Sequence, residues 1–137
     1  MSVLAHEGMR GDYGRSGQAD DGDIHNPADV EKKIVETKNR IAAGVKIVSA
    51  AERAMKAKKR DFDLAWAFAI KKAEGPEYLR KADATIDTMA YREEADNTEL
   101  AYKHATRTAD SLERELFAWQ SILNSVRAMY GAAGVGR

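Results

Sequence analysis

Stepped alternately by four and three residues, one run of positions passes through most of the second half of the chain without meeting a charge. It comprises Ala84, Thr88, Tyr91, Ala95, Thr98, Tyr102, Ala105, Ala109, Leu112, Leu116, Trp119, Leu123, Val126 and Tyr130, in a sequence that is 32% charged. A 3.5-residue apolar repeat is the signature of a left-handed coiled coil. The first half carries the matching pattern: Ile34, Ile41, Val48, Met55 and Phe62 recur every seven residues. Thr37, Gly44, Ala51, Lys58 and Ala65 follow three residues behind them. The predicted fold class is therefore all-α, a long antiparallel helical hairpin of coiled-coil type.

The breakers agree with this. Asn26-Pro27-Ala28-Asp29 reads as a helix start, with Asn as N-cap, Pro at the first helical position and an acid facing the positive end of the helix dipole. The next strong breaker is Gly75-Pro76, and Gly131 reads as a C-terminal cap. These bounds predict a hairpin over 27–130, with helices 27–74 and 77–130 of roughly 70–80 Å each if unbroken. A kink near Arg60–Asp63, where Asp61 can restart a helix, is an alternative within the first segment. Residues 1–26 hold five of the ten glycines, and five acids against two arginines, with no apolar period. Such a segment buries too little to offset its ordering entropy and is predicted to be a flexible Gly/Asp-rich arm. Residues 131–137 are predicted to be a flexible tail.

Folding the hairpin about Gly75-Pro76 pairs residues whose numbers sum to about 151. Two consequences bear on function. The large seam residues Leu112, Leu116, Trp119, Leu123, Val126 and Tyr130 face a stretch offering only Ile24, Val30, Ile34 and Val35. Unmatched apolar surface, at about 25 cal/mol per Å², drives association. Together with Phe117, and with Ile122 on an adjacent face, these residues are the expected interface with another subunit or a larger assembly. The basic run Arg53, Lys56, Lys58, Lys59 and Arg60, followed by Phe62, Trp66 and Phe68, resembles a phosphate patch with stacking platforms. The same fold sets Glu93, Glu94, Asp96 and Glu99 opposite it. Pairing within the hairpin is thus favoured over a nucleic-acid contact through Arg53, Lys56, Lys58, Lys59, Arg60 and Trp66. Residues 61–72 are apolar on two faces, Phe62, Trp66 and Ile70 on one, Leu64 and Phe68 on the other; most are expected to be core, but one of these sides calls for an outside partner, with Trp66 the residue expected to contact it.

Composition narrows the rest. Lys plus Arg and Asp plus Glu are 22 each, which removes a net-charge argument for nucleic acid or membrane. There is no cysteine, so no disulfide, thiolate nucleophile or Cys-based zinc site. No apolar run approaches a bilayer span and no secretory leader pattern is visible, so a cytoplasmic protein without a membrane partner is expected. His6 and His25 fall in the arm; His104 reads as a solvated helix-face residue. No Glu-x-x-His repeats, phosphate loop or Ser/His/Asp set stands on a rigid scaffold, so no enzyme, cofactor or metal is expected.

An alanine-rich hairpin behind a Gly/Asp-rich arm, ending Trp119-Gln120-Ser121-Ile122-Leu123-Asn124-Ser125, resembles the short helical proteins of unknown role encoded by tailed bacteriophages of actinobacteria. The resemblance covers roughly residues 27–130. It implies a virion assembly component or an early protein near recombination genes, located in the host cytoplasm or the virion, and it transfers no site residues. Three functional readings follow. The first is a structural or adaptor protein that forms a homo-oligomer or joins a larger assembly. The second is a nucleic-acid accessory protein. The third is an inhibitor or antidefence protein that sequesters a host partner or ligand.

Overall fold

The computed structural model describes residues 26–135, with side chains through residue 131. The arm and the last residues of the tail lie outside the described residues. Three helices follow one another: α1 Pro27–Lys72, α2 Glu77–Asp87 and α3 Met89–Val135. The chain divides into two compact units, one whose described part is 26–39 with 114–135, and one formed by Arg40–Glu113.

In the first unit α1 begins where the Asn-Pro pair predicts. The Ala28 N–H donates to Asn26 Oδ1 (3.0 Å), and Asn26 O accepts from Asp29 N (3.1 Å) and Val30 N (3.2 Å), satisfying donors that have no partner within the helix. α1 and α3 pack through Val30, Ile34 and Leu123, with Leu116 and Trp119 half-buried against them. Val126 is also buried. Thr37, buried at the same level, satisfies its hydroxyl by donating to Lys33 O at 2.8 Å. Glu31 and Arg127 close the edge at 2.7 Å. That pair lies a heptad further along α3 than the count from Gly75-Pro76 predicts, so this end is matched more fully than the sequence suggests. Val30 and Ile34 are partners enough for Leu123, and α3 runs past Gly131 to Val135 without a glycine cap.

In the second unit the seam is built of small residues. Ala84, Thr88, Ala95, Ala105 and Leu112 are buried, and Ile41, Gly44, Val48, Ala51, Met55, Lys58, Phe62 and Ala65 of α1 are half-buried. Every first-half seam position named from the sequence is at least half-buried across the two units. So are all the second-half positions except Tyr91 and Tyr130. The turn is also as expected: Gly75 takes φ +101°, a conformation that favours glycine, and Pro76 (φ −61°, ψ 154°) leads into α2.

Two expectations about continuity change. α1 passes through Arg60–Asp63 as unbroken α-helix, so the helix does not restart at Asp61. The second segment is not one helix: it is interrupted at Thr88 (φ −107°, ψ 10°). Thr88 N–H and Oγ1 both donate to Ala84 O, at 3.1 and 2.6 Å, and Arg92 N resumes the ladder on Thr88 O at 3.0 Å. Hydroxyl donation to the carbonyl four residues back bends helices. Thr37, Thr85, Thr98, Thr106 and Thr108 make the same bond in unbroken helix, Thr37 from a buried position, so the bond alone does not account for the break at Thr88.

Candidate interaction surfaces

The seven C-terminal residues singled out from the sequence separate into two groups. Leu112 is buried in the second unit. In the first unit Leu123 and Val126 are buried and Leu116 and Trp119 half-buried, so these side chains are largely used within the chain. Phe117, 69% exposed, and Tyr130, 55% exposed, are not. Ile122 and Met129, the latter missed by the sequence reading, are exposed on the other flank of α3 from Phe117. A scan for exposed neighbours of the seam would have found Met129, which stands one residue before Tyr130.

The basic run is partly neutralised where it stands. Lys58 Nζ lies 3.1 Å from Glu94 Oε2 across the hairpin, as the folding count requires. Lys56 Nζ lies 3.1 Å from Glu52 Oε1 on its own helix, and Arg53 Nε donates to Ser49 O at 3.5 Å. Lys59 lines an open hollow of about 390 Å³ with Phe62, Asp63, Arg92, Ala95, Asp96 and Glu99, a wall of mixed sign. Arg60 is exposed. Trp66, expected to reach outward, is half-buried with its ring centroid 6.4 Å from that of Phe62. Leu64 and Phe68 are the exposed large apolar residues of this stretch.

The Glu94 carboxylate, by accepting the lysine's hydrogen bond and by its charge, raises Lys58 above its ordinary 10.5. The protonated form is favoured in the folded state. The pair's contribution is therefore complete below pH 10.5 and is lost only as pH rises through the higher folded value. Glu94→Gln is expected to lower the Lys58 midpoint toward 10.5 in an NMR titration of the lysine side chain. A midpoint that does not move would show that the pair does not form in solution.

His104 is exposed on α3. Of the acidic cluster, Glu94 is held by Lys58 and Glu99 lies 3.7 Å from Lys103. Among the described residues no group of three or more metal-ligating side chains is gathered, and no helix is long and apolar enough to cross a membrane. The class of protein that these features define is an all-α helical hairpin with exposed apolar flanks. No family model, curated protein or solved structure matches the chain.

Proposed function

We propose that this chain is a non-enzymatic coiled-coil structural or adaptor protein, of the phage type that residues 27–130 resemble. It self-associates or joins a larger assembly through the C-terminal part of α3. The observation that carries this reading is the exposure of Phe117, Ile122, Met129 and Tyr130 around a seam whose inner residues are already buried. Each such aromatic side chain offers roughly 150–250 Å² of surface, and aromatics so placed are the usual anchors of protein interfaces. The ion pairs on Lys56 and Lys58 support this reading over nucleic-acid binding through the basic run.

Phe117→Glu combined with Tyr130→Glu tests it, because neither side chain belongs to the buried core. Light scattering on a sizing column is expected to give a wild-type mass well above 15.1 kDa. The double variant should be smaller, with unchanged helicity by circular dichroism. An equal mass for variant and wild type would refute the C-terminal contact.

A further inference from the structure

Stepped by four and three, α1 carries a second apolar row on the opposite flank of its seam from Lys59: Ala43, Ile47, Ala50, Ala54, Ala57, then Leu64 and Phe68, interrupted only by Asp61. It is not a core row. Ile47, Leu64 and Phe68 are each about 60% exposed, and the alanines are exposed apart from half-buried Ala57. A helix with two such 3.5-residue rows is built to pack on two sides at once. The hairpin occupies one row. The other has no helix packed along it within the second unit, although at its end Phe68 borders an open hollow with Asp87, Thr88 and Tyr91.

The structure shows which part of α3 shares this face. Lys58 meets Glu94 on this side, whereas Lys59, Phe62 and Asp63 meet Arg92, Asp96 and Glu99 on the other. Stepping along α3 from Glu94 by threes and fours places Asn97, Ala101, His104, Thr108 and Ser111 beside the α1 row. All are exposed and none carries a fixed charge. The two long sides of this unit are therefore unlike. One is laced with Lys59, Asp63, Arg92, Asp96, Glu99 and Lys103; the other is uncharged from Ala43 to Ala57 and from Asn97 to Ser111. Lys46 and Arg53 stand at its outer edge, as charges stand at an interface rim.

We infer that this face docks a second copy of the chain, making a four-helix bundle. Three observations select that occupant. First, apart from Asp61 and the mutually neutralised Lys58–Glu94 pair the face is uncharged, so it offers little electrostatic complement to steer in a charged protein or a nucleic acid. Second, from Ala50 to Ala57 the row is alanine only, which lets another helix approach closely where that helix is equally small, and the same stretch of a second copy meets that need in the self-complementary manner of a two-fold dimer. Third, the area suffices. From Ala43 to Phe68 the row is roughly 38 Å long at 1.5 Å per residue. Two helices packed about 10 Å apart make a face roughly 20 Å wide. That is about 750 Å² per copy and about 1,500 Å² in total, within the range of stable interfaces.

The inference goes beyond the C-terminal contact and can fail separately from it. Its test uses the full chain carrying Phe117→Glu and Tyr130→Glu, with light scattering as the readout. This variant is expected to remain a dimer, of twice 15.1 kDa. Adding Ala50→Glu and Ala54→Glu is expected to halve the mass at the same concentration. Glutamate keeps the helix propensity of exposed alanine positions close to unchanged, so helicity by circular dichroism should hold. Adding Ser49→Glu instead, on the ion-paired side, should leave the dimer intact. Ile47→Lys, also on the row, should act like the two alanine changes if these disturb helicity. A Phe117→Glu/Tyr130→Glu chain that is already monomeric overturns the second face and leaves the C-terminal reading standing. So does a dimer that survives both Ala50→Glu/Ala54→Glu and Ile47→Lys. A monomeric wild type defeats both.

Discussion

Leu123→Ala is expected to be the most damaging single truncation among the described residues, costing about 2–4 kcal/mol. Leu123 is buried in one cluster with Val30 and Ile34, against which only Leu116 and Trp119 pack half-buried, so its loss leaves a cavity that few neighbours can fill. Domains of ordinary size are stable by only about 5–15 kcal/mol, so this is a large share. The loss should be local first. Hydrogen exchange is expected to quicken over 27–39 and 114–130 while the second unit keeps more of its protection, because opening follows the distribution of buried contacts. Phe117→Ala, six residues away and exposed, should change stability by no more than about 0.5 kcal/mol. Equal losses for the two variants would show that the seam is not oriented as described.

Ala84→Leu is the second. Ala84 is fully buried, and its carbonyl receives both the amide and the hydroxyl of Thr88 at the helix break. Three added carbons have no space, and overpacking of this kind costs about 1–3 kcal/mol. The carbonyl cannot move away without giving up the bond that satisfies the buried Thr88 hydroxyl. Denaturant unfolding should show a lower midpoint with the same slope, since the surface exposed on unfolding is unchanged. Ala82→Leu, on an exposed position of the same helix, is the control and should leave the midpoint nearly where it was. If the two leucines behave alike, the small-residue seam is not closely packed at α2.

These predictions also show where the sequence was and was not readable. The N-terminal start at Asn26-Pro27, the turn at Gly75 and the two apolar seams were all legible, because each rests on local chemistry: a capping side chain, a positive φ, a 3.5-residue period. The Lys58–Glu94 pair was legible too, since a count from a tight turn fixes register nearby. Further from the turn the count drifts, and Glu31 meets Arg127 instead of the residue a heptad earlier. The division of the C-terminal residues was not legible. Phe117 and Leu116 are adjacent apolar residues, yet one is exposed and the other half-buried against the cluster, because the facing helix offers Val30 and Ile34 to one side of α3 only.

What the sequence determined by itself, then, is the all-α hairpin with its start, its turn and its seam positions. Period and backbone preference act over a few residues and need no knowledge of the rest of the chain. Only the tertiary structure decided that α1 runs unbroken through Asp61, that Thr88 interrupts the second segment, and which apolar residues remain outside. Aspartate and threonine tolerate both a helix interior and its end, so residue type alone does not choose between them. An apolar residue beside the seam is core or surface according to which side chains the opposite helix presents, and that depends on register over the whole unit.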